Sequence, residues 1–295
     1  MRRFFYAVDH EPDRIKGLNE DTNYFKLVTL PIGTSIALTD SIVHHWCRVL
    51  RANVGDQGIL FDGFGGECLV ELRDISKKQA SVSLLAYLAD NRSAPIRTKI
   101  GLVMSRGERM DYAIQKATEL GVTAIQLLSS HHGEVNLKPA QVDKKLAHWQ
   151  QIAIAACEQC GLNRPPLILA PQPISQWLNA DSTIDNTGDL PVSPVVALLS
   201  QDPYYQKLNN PADLRLQMSV PAAGQPAMPN TLLKTLTQES PYIELLIGPE
   251  GGLSSDERSQ AEEANFLPWQ IGKRVLRTET APVVALATLH ALYQQ

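Results

Sequence analysis

From residue 99 onward the chain alternates between two hydrophobic periods. Short Val/Ile/Leu runs bounded by glycine or proline are followed by longer stretches in which apolar residues recur every three or four positions. IGLVMS (100–105) is expected as a strand and ERMDYAIQKATELG (108–121) as a helix closed by Gly121. VTAIQLLSS (122–130) is the next strand, and KPAQVDKKLAHWQQIAIAACEQC (138–160) a long helix. PLILAPQ (166–172), PVVALLS (194–200), YIELLI (242–247) and FLPWQI (266–271) continue the strands. APVVALATLHALYQ (281–294) is the last helix, with Thr280 as N-cap and Pro282 tolerated in the first turn. Strands that alternate with helices return in the same direction, so this half is predicted to be an α/β domain on a mainly parallel sheet.

The first 90 residues obey a different grammar. ILFDGFGGECLVELRDI (59–75) has the form of a hairpin turning through Asp62–Gly66, and KQASVSLLAYL (78–88) alternates as a following strand. SIVHHWCRVLRANVGD (41–56) reads as a short helix running into a loop. A small β-barrel with one helical insert is the expected fold of 1–90, and DNRSAPIRT (90–98) connects it to a second domain over 91–295. Within the latter, 200–230 is rich in Pro, Asn, Ala and Gln without a period and is expected as a flexible surface insertion; 181–194 is a shorter loop of the same kind. No apolar run approaches the roughly 18–20 residues of a membrane span, and MRRFFYAVDH lacks the apolar core of a secretory signal. The net charge of −4 gives no overall basic footprint, so any nucleic-acid affinity must come from local arginine clusters.

Four cysteines occur, and AACEQCG carries a C-x-x-C pair, Cys157 and Cys160. Zinc would need two further ligands, and the chain has no second C-x-x-C or H-x₃-H. A redox pair is usually activated at a helix N-terminus, whereas this one ends a helical pattern before Gly161, where the dipole disfavours a thiolate. Reduced structural thiols and a cytoplasmic setting are expected, with no metal site.

Two loops carry the chemistry. LLIGPEGGLSSDE (245–257) runs from a strand through Gly248, Glu250, Gly251 and Gly252 into a helix opened by the capping box Ser254–Glu257. The spacing matches neither G-x-G-x-x-G nor G-x-x-x-x-G-K-[ST], and Glu250 would repel a triphosphate. A ligand that is neutral or cationic at its reacting end suits it. IGKRVLRTETAP (271–282) again follows a strand and precedes a helix, with Lys273, Arg274 and Arg277 beside Thr278, Glu279 and Thr280. Loops at the carboxyl ends of neighbouring strands share one crevice, so the two are expected to be walls of one pocket. Three further clusters offer arginines to RNA: Arg106 and Arg109 in SRGERMDY, Arg164 in CEQCGLNRPP, and His44, Arg48 and Arg51 at helical spacing in HHWCRVLR.

GPEGGLSSDE followed by IGKRVLRTETA closely resembles the signature of the SPOUT-class ribosomal RNA methyltransferases, and within them the 16S rRNA uracil-N3 methyltransferases. MRRFF, HHWCRVLRANVGD, LFDGFGGE, MSRGERMDYAIQKATELGV and IAIAACEQCG extend the resemblance over nearly the whole chain. It implies a PUA-like β-barrel ahead of a SPOUT-type α/β domain with a trefoil knot, a homodimer, S-adenosylmethionine (SAM) as methyl donor, and 16S rRNA, in the small ribosomal subunit, as substrate. Folded chains are almost never knotted, so the knot is implied by the resemblance alone. The chain departs from the family pattern at Leu162, at His131–His132 and in the length of 200–230.

The residues agree with that resemblance. SAM carries a sulfonium and no phosphate, and glycines let backbone N–H and C=O groups reach an adenosine directly. The cofactor is expected against Gly248, Glu250, Gly251 and Gly252 on one side. Ile271, Gly272, Val275, Leu276 and Arg277 are expected opposite. Leu198, Leu199 and Ser200, at the end of a neighbouring strand, are expected to form a third side. Methylation at uracil N3 requires loss of the N3 proton and stabilisation of charge spreading to O2 and O4. Arg277, with Arg274 second, is expected to stabilise that charge, and Glu279 or Glu250 to take the proton. Two rivals stand beside this reading. A non-catalytic RNA-binding ribosome-assembly factor would have no need of an intact glycine loop. A nicotinamide enzyme is disfavoured by the missing G-x-G-x-x-G.

Overall fold

The computed structural model describes residues 1–6, 26–179, 192–219 and 226–293. Most of the 181–194 loop therefore lies outside the described residues. The chain forms two compact units: Met1–Ser93 with Cys157–Arg164, and Ala94–Ala156 with Pro165–Gln295.

In the first unit β1 (Arg2–Phe5), β2 (Ser35–Ala37), β3 (Gln57–Phe61), β4 (Glu67–Ile75) and β5 (Ala80–Leu88) make a five-stranded sheet in the order β1-β3-β4-β5-β2. Among the described residues only β1 and β3 pair in parallel. The β4–β5 pair shifts register between Leu69 and Val70 and between Leu72 and Asp74, which bends it around the core. The edge strands meet through a side chain: Tyr6 Oη donates to the Ala37 carbonyl at 2.9 Å. The β3–β4 turn is the predicted one, with Gly63, Gly65 and Gly66 all at positive φ. It is pinned by the buried Asp62 carboxylate, which accepts from Leu27 N at 2.7 Å and Phe64 N at 3.1 Å. The helix expected over 41–56 is one α-turn, Asp40–Ile42, continued by a π-helix, Val43–Val49. It sets Trp46 against Phe4, ring centroids 4.9 Å apart. Gly58 makes room for that indole, since a Cβ there would lie 2.7 Å from it.

In the second unit β6 (Arg97–Val103), β7 (Ala124–Ser129), β8 (Leu167–Pro173), β9 (Leu214–Met218), β10 (Tyr242–Ile247) and β11 (Leu267–Trp269) form a six-stranded sheet ordered β11-β9-β10-β6-β7-β8. Every pairing is parallel. Successive residues of the apolar strands serve opposite layers. Leu102, Leu127 and Leu245 pack in one buried cluster, and Val103, Leu128 and Leu246 in another. This two-sided burial is why these strands are continuous apolar runs rather than alternating ones.

Two sequence expectations are corrected here. PVVALLS is not a strand: Pro194–Leu199 is a short helix whose N-cap Ser193 accepts from Val196 N at 3.2 Å, with proline at its start. A brief apolar run does not distinguish strand from buried helix, and the Ser-Pro entry decides for the helix. The supposed flexible insertion 200–230 carries β9, which sits inside the sheet between β10 and β11. Leu214 and Leu216 are buried while Arg215 and Gln217 are half-exposed. That alternation spans too few residues to stand out from the Pro/Asn/Ala-rich sequence around it.

β9 also completes a buried charge ladder. Arg215, Glu244 and Lys99 are register partners on β9, β10 and β6. Glu244 accepts from Arg215 Nε at 2.9 Å and from Tyr242 Oη at 2.8 Å, with Lys99 Nζ 3.7 Å away. Burial lowers the Lys99 pKa, and Glu244 opposes the shift. Such a ladder selects one strand order, because any other order would leave a buried charge without its counter-ion. Among the described residues no helix is long and apolar enough to cross a membrane.

Candidate functional site

The GPEGG loop leaves β10 and is fastened at several points. Gly252 N donates to Pro249 O at 2.9 Å, with Gly252 at φ +72. The expected capping box is complete: Ser254 Oγ accepts from Glu257 N at 3.2 Å, and Glu257 returns the bond to Ser254 N at 2.9 Å. The same carboxylate accepts from His131 N at 2.8 Å, and His132 Nδ1 lies 3.0 Å from Gly252 O. The histidine pair that departs from the family pattern thus clamps the glycine loop to the loop after β7. The second loop, after β11, turns at Gly272 (φ +77). It meets the first where Thr278 Oγ1 donates to Gly248 O at 3.3 Å.

The two loops enclose a cleft of about 460 Å³. Gly248, Glu250, Gly251 and Gly252 line one side, and Ile271, Gly272, Arg274, Val275 and Leu276 the other. β10 and β11 are not neighbours; they flank β9, whose end supplies the third side through Gln217, Met218 and Ser219. Leu198, Leu199 and Ser200 do not line the cleft, and Leu199 is packed in the core of its helix. Sequence reasoning missed the β9 residues, whose one signal was the Leu214/Leu216 alternation, and it missed Arg258, Glu262, Phe266 and Pro268, which also line the cleft.

Arg277 and Glu279 stand outside the main cleft. Arg277 lines an adjoining recess of about 380 Å³ with Arg109, Glu250, Val275 and Leu276. Arg109 forms an ion pair with Glu250 and approaches Glu134 at 3.4 Å. Hydrogen bonding to Glu250, and then its charge, raise the Arg109 pKa further. Arg109, expected among the phosphate contacts, therefore lies at the rim of the glycine loop. Glu279 is 9 % exposed; its Oε1 is 3.9 Å from Arg277 Nη1, and its buried Oε2 has no hydrogen-bond partner among the described residues. Arg106 is exposed and donates to the Glu134 carbonyl at 3.3 Å.

In the first unit His44, Arg48 and Arg51 are exposed on or just after the π-helix, Arg48 bonded to the Lys77 carbonyl and Arg51 at φ +55. Arg164 has a holding role there. Its guanidinium donates to Gly63 O at 3.4 Å and Phe64 O at 2.5 Å, the carbonyls of the β3–β4 turn. Cys157 is buried and Cys160 exposed at the end of the helix Pro139–Cys160, and none of the four cysteines is in a disulfide.

A parallel sheet carries a glycine-lined cleft at its carboxyl edge and is joined in one chain to a mostly antiparallel β-unit, and comparison with known proteins places this arrangement among RNA-modifying enzymes. Residues 92–290 match the RNA methyltransferase domain family, and 38–85 the RNA methyltransferase PUA domain family. The ribosomal RNA small subunit methyltransferase E of Synechocystis sp. is 31 % identical, over 92 % of this chain and 78 % of its own. A structure of the Neisseria gonorrhoeae enzyme of that name, bound to S-adenosyl methionine, is 30 % identical, with a TM-score of 0.71 over 99 % of this chain and 98 % of that one. A Legionella pneumophila putative methyltransferase in complex with SAM superimposes with a TM-score of 0.72 at 28 % identity, covering 98 % and 96 %. The chain belongs to the ribosomal RNA small subunit methyltransferase E family.

Proposed function

We propose that this protein uses SAM to methylate N3 of a uridine in 16S rRNA, within the small ribosomal subunit, as a cytoplasmic homodimer. The observation that carries the reading is the cleft between the two loops, with Arg277 and Arg109 on the recess beside it. The relatives bound to SAM support the donor.

The residues present fit SAM. Gly252 and Gly272 hold positive φ, so backbone rather than side chains faces the ligand there. Ile271 and Leu276 supply apolar wall, and the lining mixes carboxylates (Glu250, Glu262) with guanidiniums (Arg258, Arg274), polar groups for a ligand that carries both an amine and a carboxylate. Bound SAM would supply an electrophilic methyl carbon. The chain's own part is to hold the uracil N3 in line with it and to manage charge. Arg277, exposed at the recess, is placed to stabilise negative charge on O2 or O4. Glu250 and Glu279 are the carboxylates near it. His44, Arg48 and Arg51, together with Arg106, would carry phosphate contacts.

The test is mass spectrometry of 16S rRNA from a deletion strain, before and after complementation, combined with calorimetry of SAM binding. Loss and return of one N3-methyluridine is the expected result. A protein that leaves the RNA unchanged and does not bind SAM would instead be the non-catalytic assembly factor.

A further inference from the structure

We infer that Arg215 is a positioning residue for cofactor binding: it fastens the corner between the helix Ser255–Glu263 and β11, and so sets SAM affinity without taking part in methyl transfer. This rests on the reading of the cleft as the SAM site, and it gives a task to a cation that the methyl-transfer reading leaves unused.

The cleft has a fourth side. Arg258, Glu262, Phe266 and Pro268 line it, and they all belong to one segment, the helix Ser255–Glu263 with its turn into β11. That turn is tight. Asn265 takes φ +62, and Asn265 N donates to Glu262 O and Phe266 N to Ala261 O, each at 2.9 Å. A left-handed residue just past a helix satisfies carbonyls of the last turn in this way. The carbonyl of Ala264, the C-cap, accepts instead from Arg215 Nη1 at 3.1 Å.

Arg215 holds several groups at once. Its Nε donates to Glu244 at 2.9 Å, its Nη1 to the Ala264 carbonyl, and its guanidinium lies 5.6 Å from the centre of the Phe266 ring. Phe266 packs in turn on Trp177, ring centroids 5.4 Å apart. The anchor is firm, because Glu244 is buried and fixed by register on β10 between β9 and β6. A cation beside a helix C-terminus also meets the negative end of the helix dipole. Gln217, two residues along β9 and therefore on the same face, lines the cleft as well. One guanidinium thus ties the β9 side of the cleft to the corner side. Its planar fork serves a carboxylate and a carbonyl in different directions, whereas lysine offers one compact ammonium. Walls fixed before a ligand arrives cost less binding free energy to order, and that gain belongs to ground-state binding.

Arg215→Lys separates the two contacts. Its ammonium keeps a counter-charge for buried Glu244 and gives up the Ala264 carbonyl. Calorimetry is expected to show SAM affinity lowered about tenfold, the loss of one charge-assisted hydrogen bond. Single-turnover methylation at saturating SAM and RNA is expected to stay within about twofold of wild type, because only uniform binding is lost. Leu216→Ala, on the opposite face of the same strand, controls for general loosening. It should lose stability in urea and still bind SAM more tightly than Arg215→Lys. Hydrogen exchange on the SAM-free wild type needs no variant: the amides of Ala264, Asn265 and Phe266 are expected to be protected, the corner being formed already. Rapid exchange at these amides that only SAM slows overturns the inference. So does an Arg215→Lys protein with wild-type SAM affinity, or one whose rate at saturation falls in step with its affinity. A Leu216→Ala protein that binds SAM as weakly as Arg215→Lys overturns it too. A wild-type protein that binds no SAM brings down the cofactor reading of the cleft, a result distinct from all of these.

Discussion

At the residue scale the glycine loop leaves little room for a side chain at position 251. A Cβ on Gly251 would lie 3.3 Å from His132 Cβ, and His132 is the residue holding Gly252 in place. Gly251→Val is therefore expected to push the clamp away and deform the cleft, an overpacking cost of about 1–3 kcal/mol. Calorimetry should read this as SAM affinity weakened roughly tenfold or more; a folded variant with unchanged affinity would remove the loop from the binding site. The C-x-x-C pair yields the opposite expectation. Burial raises the Cys157 thiol pKa well above its usual value, and burial, with Asp62 and Glu67, pushes Cys68 up to about 12. Thiolate is the reactive form, so at pH 8 these two should resist an alkylating reagent that labels exposed Cys160, and should react only on unfolding. A Cys157→Ala/Cys160→Ser variant is expected to keep methyl-transfer activity, because neither thiol reaches the cleft.

At the scale of elements the decisive segment is β9. Leu216 is fully buried on β9, which lies between β10 and the edge strand β11. Leu216→Ala is expected to cost about 2–5 kcal/mol in urea unfolding, the range for a core leucine. The same change in a solvent-exposed insertion would fall within roughly 0.5 kcal/mol of zero, so the measurement separates the two descriptions of 200–230. Of the strands that sequence reading located, β6, β7, β8 and β10 are long apolar runs with clear punctuation, and β11 is a short one inside FLPWQI. β9 and the helix Pro194–Leu199 are short, and a short element carries too little periodicity to outweigh its neighbours. Their states are decided by partners: β9 by the ladders on both its edges and by Arg215 reaching Glu244.

At the scale of the whole molecule, the net charge of −4 concentrates RNA affinity in a few cations and keeps it separable from chemistry. Arg51 sits at φ +55, so Arg51→Gly removes its charge without adding backbone strain. That variant is expected to weaken RNA binding and flatten its salt dependence by up to about one unit of slope, leaving SAM affinity alone. Arg277→Ala is expected to lower the single-turnover rate at saturating RNA by about 10²–10³-fold, since its contact is made mainly in the transition state. Salt-titrated binding and single-turnover kinetics on both variants check the division; an Arg277→Ala protein that lost only RNA affinity would refute it. The sequence by itself determined the two architectures, both glycine loops and the capping box, because each is written in local period and turn chemistry over contiguous residues. Only the tertiary structure decided that β9 closes the cleft, that Arg109 pairs with Glu250, and that Glu279 keeps a buried oxygen unpaired. Those facts depend on strand order and on contacts between residues as much as 141 positions apart, and no local pattern encodes which distant strand a segment will lie beside.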